Sequence, residues 1–400
     1  MKDAHPCRVP RVSPLRPGRI SALLLTFSVA ALSLTGCRPH DFPQYQPNQR
    51  EYAYVTNGGS NTVTVLDVIN VRLDRELPVG ENPVAVAASP TRNEVYVVNA
   101  GGSSGMGSVS VINAENNSVA AVIQVQRLPV SIDLDAAGEV AYVANSGSNT
   151  ISVVDLRSRR QIAAIGAGEE PVEARVTPDG KTLVVPNRGG NSVSLVDPAM
   201  RGVRAYFEGC PGAADAVILP DSSKAFVACA GGHQVMAIAL AHPEAHPAQP
   251  DRLEALLDVG RAPVHLALKP DGGEVFVSNS LSNSISEVYA TTDDVAGAYM
   301  MGDYPVRGLV SADNSLLYVG NLHSQEVTVY SIVDGKRISF IHVGDGPSAM
   351  ALSSAGHLLF VVDARSADVA VVRTASHSLF TMLPAGRGPN AIAVKAFRLP

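Results

Sequence analysis

The chain has 400 residues, with 31 Lys and Arg against 37 Asp and Glu, and it is 46% hydrophobic but only 17% charged. That balance excludes a disordered chain, which needs low hydrophobicity and high charge, and a coiled coil, which needs far more Lys, Glu and Leu; a net charge of −6 leaves nucleic acid as a partner only if one basic patch is concentrated. With 34 Gly, 27 Pro and no Trp, many short elements separated by turns are expected rather than a few long helices.

In chain order, Arg8, Arg11, Arg16 and Arg19 form a basic start, and an apolar run follows from Ile20 to Leu34. The run falls short of the roughly 20 residues that a spanning helix requires. With small residues behind it, this is the layout of a secretory signal. Its ending, Leu34-Thr35-Gly36-Cys37, resembles a bacterial lipobox, which implies removal of residues 1–36 and a lipid on Cys37. An ordinary signal peptide or a short anchor helix is the alternative. Residue 38 is Arg rather than Asp, so the familiar inner-membrane retention signal is missing. Removing residues 1–36 takes away five Lys or Arg and one Asp, leaving 26 basic against 36 acidic residues, a net of −10. Residues 37–50, with Pro39, Pro43 and Pro47, read as a tether. The expected location is the cell envelope, lipid-anchored to a membrane on its periplasmic or outer face.

From residue 51 onward one unit is written repeatedly. Tyr54-Val55-Thr56-Asn57 recurs with its first residue at Tyr96, Tyr142, Val184, Phe226, Phe276, Tyr318 and Phe360, at spacings of 42, 46, 42, 42, 50, 42 and 42 residues. Upstream of most copies stand a Gly-x-x-Pro turn, as at Gly80 to Pro83, and a short apolar run; downstream come a Ser-Asn type loop and two more runs. Runs of this length, rich in Val and Ile and bounded by Gly, Pro and Asn, are strands. Four strands per repeat of this length make a propeller blade. The first copy lacks its Gly-x-x-Pro strand and the chain ends on an orphan one, Pro389 to Val394. The expected fold is therefore an all-β propeller over 51–400, closed by the C-terminal strand joining the N-terminal blade. The count is eight blades, or seven if the divergent copy near 209–262 is not a blade.

The motif at Tyr54 to Asn57 resembles the YVTN-repeat β-propellers, a family of secreted and surface proteins. The resemblance covers roughly 51–397 and implies the fold. It leaves function open among surface-layer proteins, proteins of unknown role, and distant kin that carry a d1-type haem or act in amine oxidation.

Symmetry serves as an internal control. Positions alike in every blade, such as the motif Asn and the Asp of Asp67, Asp155 and Asp197, read as structural. Two residues past each Pro, or three past Pro211, the innermost strands carry in order Ala85, Ser131, Glu173, Ala214, His265, Arg307, Ala349 and Ala391. Two residues further on, Asp133 and Arg175 extend the polar arc. Ionisable groups clustered at a channel mouth need partners. One reading is an anion or carbonyl site, with Arg307 as bidentate contact, His265 as proton carrier or haem ligand and Glu173 as base. The other is an internal network in which Glu173 pairs with Arg307 or Arg175. Ser131 completes the candidate set.

Cys7 leaves with the signal and Cys37 takes the lipid, so Cys210 and Cys229 remain. Cys210 precedes an inner strand and Cys229 replaces the motif Asn of the strand antiparallel to it. A disulfide is predicted, with free thiols as the alternative. His242 and His246 have metal-pair spacing, but Pro243 and Pro247 argue against a helix there, and no metal site is expected. The Gly-rich insert Gly101 to Gly107 is a loop on the mouth face, either a flap or a tolerated insertion. No phosphate-binding Gly loop, nucleophile elbow or Cys-x-x-Cys-His haem attachment is present. The sequence favours a non-enzymatic binding or scaffold lipoprotein that holds an envelope protein or small ligand at the channel mouth, without a cofactor. The alternatives are a d1-haem-like or redox propeller and a lactonase-type hydrolase.

Overall fold

The protein is seen as a computed structural model that describes residues 45–102, 105–241 and 249–399. The signal, Cys37, the tether as far as residue 44, the middle of the Gly-rich insert, and His242 and His246 lie outside the described residues. Within them, 32 strands form eight four-stranded antiparallel sheets. The sheets are arranged as the blades of a propeller.

Blade 1 combines Gln49–Asn57, Thr62–Asp67 and Arg72–Pro78 with the C-terminal strand Pro389–Arg398 as its innermost member. Val394 faces Ala53 across that junction, and the pairing runs from Gln49 opposite Arg398 to Asn57 opposite Pro389. The innermost strands of blades 2 to 8 are Pro83–Ala88, Pro129–Leu134, Arg175–Val176, Ala213–Ile218, Pro263–Leu268, Pro305–Val310 and Pro347–Leu352. The divergent copy is a complete blade 5, so the ring has eight blades.

Burial explains the residue pattern. The second strand of blade 2, Glu94–Asn99, is buried at five consecutive positions because neighbouring blades cover both of its faces. Outermost strands such as Arg160–Gly166 alternate, having one face to solvent. Eight clusters of buried side chains occupy the eight seams between blades. The seam that closes the ring packs Ala53, Val55 and Leu66 of blade 1 against Phe360, Val362 and Val371 of blade 8.

The motif Asn is structural. Asn57, Asn187 and Asn279 are buried, and each donates its side-chain amide to a hydroxyl on the next strand outward, Thr64, Ser194 and Ser286, at 2.9–3.0 Å. The same amide packs on the Gly of the Gly-x-x-Pro turn. A Cβ on Gly80 would stand 2.6 Å from Asn99 Cγ, closer than carbon atoms approach. The repeated Asp residues cap turns: Asp155 accepts from the Ser158 N–H at 2.6 Å, and Asp197 from the Met200 N–H at 2.8 Å.

Candidate functional site: the channel mouth

Each Gly-x-x-Pro loop and the loop after the motif lie at the same end of their blade, because the Pro that opens the inner strand pairs with the motif residue, as Pro83 does with Asn99. At that end the eight innermost strands enclose a mouth of about 330 Å³. Its wall has two halves. Ala85, Ala349 and Ala391 form a bare arc, and Ser131, Glu173, Arg175, Asp215, His265 and Arg307 form a polar one.

One assignment changes here. Blade 5 contributes Asp215, not Ala214, at the position that Glu173 and His265 occupy in their blades. Its turn, Gly209-Cys210-Pro211-Gly212, carries the Pro two residues early, so that Ala213 opens the strand opposite Cys229 and Asp215 falls opposite Ala228. Counting back from the motif position instead of forward from Pro211 would have found it.

The polar arc is stitched from blade to blade. Asp133 accepts the Val176 N–H at 3.0 Å, Glu173 the Ala216 N–H at 3.1 Å, Asp215 the Leu266 N–H at 2.8 Å, and His265 Nδ1 the Gly308 N–H at 3.3 Å. Each side chain thus satisfies a backbone donor on the innermost strand of the next blade. Laterally, Arg175 Nε lies 2.8 Å from Glu173 Oε1, and its guanidinium reaches Asp215 at 4.0 Å. Glu173 therefore pairs with Arg175 and not with Arg307. Asp133 sits in the stitched network and Ser131 has a buried hydroxyl without a hydrogen-bond partner in the described residues.

Protonation follows from this packing. Burial lifts the Glu173 carboxyl, against Arg175 and with the help of neighbouring Asp215, to about 8. Burial also opposes ionisation of Asp215, but the His265 imidazole, Arg175, the Leu266 N–H and Arg307 outweigh it and hold Asp215 below its ordinary value. The two carboxyls divide one proton between them at neutral pH. Burial and the nearby Arg307 push His265 down to about 3, so the ring is neutral. Since Nδ1 accepts from Gly308, Nε2 carries the hydrogen, and it faces Asp215 Oδ2 at 3.7 Å. A haem or metal would need the lone pair of Nε2, so His265 as placed does not fit that role. Among the described residues no group of three His, Cys, Asp or Glu side chains is arranged to hold a metal ion.

Arg307 stands apart. It lines the mouth, is exposed to it, and forms no ion pair or hydrogen bond among the described residues. Blade 7 is also where the stitching stops, because a guanidinium has no acceptor to offer.

At the rim of blade 5 the structure joins Cys210 to Cys229, with Cα atoms 4.7 Å apart. The two cysteines occupy the positions of the packed Gly and Asn in the regular blades, Cys210 three residues before the strand opens and Cys229 opposite its first residue. A covalent bond replaces a van der Waals contact at the blade that supplies Asp215. No described helix is long and apolar enough to cross a membrane.

No curated protein matches the sequence. Similar solved structures share the fold at low identity. Dihydro-heme d1 dehydrogenase NirN, in complex with DHE, is 14% identical with a TM-score of 0.68, covering 88% of this chain and 76% of that one. AztD from Citrobacter koseri is 12% identical with a TM-score of 0.66, covering 87% and 98%. A putative 6-phosphogluconolactonase from Bacteroides uniformis is 15% identical with a TM-score of 0.60, covering 87% and 100%. The family model described as YNCE-like beta-propeller matches residues 109–396, well over half of the chain. With eight four-stranded blades closed into a ring, the chain belongs to the YNCE-like β-propeller family.

Proposed function

We propose that this propeller is a binding protein, not an enzyme, and that it holds a small anion in the channel mouth on Arg307. The observation that carries this reading is the contrast within the arc. Asp133, Glu173, Asp215 and His265 each have a structural partner, whereas Arg307 is a permanently charged fork facing open space. A guanidinium so placed suits a carboxylate or similar planar anion, taken bidentately. The bare arc of Ala85, Ala349 and Ala391 leaves room for an apolar body opposite it. Asp215, which keeps its negative charge on the same wall, disfavours a dianion.

The stitched residues have weak claims to chemistry. His265 is neutral with both nitrogens engaged or directed inward, and Glu173 and Asp215 each spend an oxygen on a backbone N–H. The haem and lactonase associations of the distant neighbours therefore gain no support from this site. The N-terminal sequence supports export and a lipid on Cys37, so the reading extends to an envelope lipoprotein whose membrane partner is reached through that lipid.

Native mass spectrometry of protein purified from its host tests the reading. A small anion should co-purify with the wild-type protein and be missing from Arg307→Ala. A ligand retained equally by both proteins would overturn it. Growth with labelled fatty acid tests the anchor: label is expected on the wild-type chain and none on Cys37→Ala.

A further inference from the structure

At the end away from the mouth, three of the seams between blades are closed by a polar pair, and the seam of blades 7 and 8 is not. Each pair joins a residue early in a blade's second strand to the residue just before the outermost strand of the next blade, which is held in the left-handed region. At the seam of blades 1 and 2, Tyr54 donates its hydroxyl to Asn117 Oδ1 at 2.6 Å, with Asn117 at φ 50°. At the seam of blades 2 and 3, Glu94 takes both the Tyr96 hydroxyl at 2.7 Å and the Arg159 guanidinium at 2.9 Å, with Arg159 at φ 56°. At the seam of blades 5 and 6, Lys224 meets Asp293 at 2.9 Å, with Asp293 at φ 58°.

At the seam of blades 7 and 8 the matching residues are Leu316, Tyr318 and His377, the last at φ 49°. No bond joins them. In place of the closing pair there is a cleft of about 410 Å³, lined by Tyr318, His377, Asp313, Leu316, Leu352 and Thr374 among others. Tyr318 is only 1% exposed, yet its hydroxyl makes no hydrogen bond among the described residues. The hydroxyl is not sealed off but borders the cleft, where it is open to a ligand.

We propose that the cleft between blades 7 and 8 is a second ligand site, and that it takes a small organic cation: an ammonium on an apolar body. Asp313 is the single charged side chain in its lining. One of its oxygens is held by the Ser311 and Ser315 hydroxyls and the Ser315 N–H, while the other carries no hydrogen bond. Those bonds hold Asp313 below its ordinary value, and burial lowers His377, so at neutral pH the cleft offers one negative charge and no positive one. Leu316 and Leu352 supply apolar wall, and the Tyr318 hydroxyl a donor or acceptor at its floor. This chemistry is opposite to that of the mouth and does not depend on it.

Benzylammonium and benzoate are the probes, followed by ligand-observed NMR on the wild-type protein, His377→Asn and Tyr318→Phe. Asn at position 377 tolerates the left-handed backbone and restores the partner that Tyr54 has. It is therefore expected to close the cleft, raise the unfolding midpoint and weaken benzylammonium binding by roughly tenfold or more. Tyr318→Phe is expected to weaken it by a smaller factor with the fold retained. Benzoate, a ligand for the mouth, is expected to ignore both substitutions. The proposal is overturned if folded wild-type protein does not bind benzylammonium, or if His377→Asn binds it undiminished. Benzoate that depends on residue 377 would overturn the ligand class.

Discussion

Two halves of one channel wall are built from the same repeat and solve the same problem differently. Along the bare arc the inner strands present Ala85, Ala349 and Ala391, and stability there comes from the seams behind them. Along the polar arc, Asp133, Glu173, Asp215 and His265 reach across to the next blade and take a backbone N–H. Ala can be tolerated in the first case, so the second is not demanded by the fold. Polar groups that stitch blades also surround Arg307 with fixed charge, and the difference between the halves separates scaffold from site. Among the charged side chains of the described arc, Arg307, at the end of the stitched run, makes no hydrogen bond or close ion pair and acts on Asp215 only through its charge.

The largest break in this comparison is expected from Asp215→Ala. It strips the Leu266 N–H of its acceptor and removes a counter-charge from Arg175 inside the wall, and loss of one partner in a buried charged network costs about 3–5 kcal/mol. Ala85→Ser, at the corresponding position on the bare arc, is expected to change stability by less than about 1 kcal/mol. Urea unfolding of both variants measures the contrast. Next comes the covalent rim of blade 5. With the cysteines 19 positions apart in sequence, replacing Cys210 and Cys229 by Ala is expected to cost about 3 kcal/mol on the chain-entropy view, seen as a lowered denaturation midpoint.

A smaller effect is expected from pH. Glu173 holds its proton up to about 8 in the folded chain but only to near its ordinary value of 4.5 when unfolded. Between those limits the folded state binds the extra proton, so the stability linked to this group is complete below 4.5 and is lost as pH rises through about 8. Asp215, shifted the other way from 3.8, acts at lower pH, but Asp363, raised to about 7, and His265, lowered from 6.5 to about 3, also contribute above pH 5, so the Glu173 share is the difference between wild type and Glu173→Gln. Glu173→Gln is expected to flatten that slope; an unchanged slope would assign it to other groups. A small change in stability is expected from Arg307→Ala, about 1 kcal/mol or less, because the side chain makes no hydrogen bond and acts on Asp215 through its charge alone, against the cost of its own burial in the channel wall.

The ring was legible in the sequence because each blade writes the same seam: the Tyr-Val-x-Asn strand, the Gly under the Asn, and the Pro that opens the inner strand. Closure was legible from a missing strand at one end and a spare one at the other. The polar arc showed as a departure from Ala at one repeated position. Asp215 escaped because Pro211 is displaced within its turn, and a count from Pro tracks the turn, whereas the ladder follows the pairing of Ala213 with Cys229. The choice of Arg175 over Arg307 as partner of Glu173 was also hidden. It depends on which side chain turns along the wall and which turns into the channel, and residue identity carries no such direction. The open seam at Tyr318 was invisible for a related reason: His377 matters there only as the residue that faces Tyr318 across two blades.

The most direct test of the mouth as an anion site is a calorimetric titration of wild-type and Arg307→Ala protein with benzoate at fixed salt, each first shown to be folded by its unfolding midpoint. The expected result is binding by the wild type and none by the variant, with midpoints that agree. Equal binding by the two, or no binding by either, would contradict the assignment of Arg307 as the ligand's anchor.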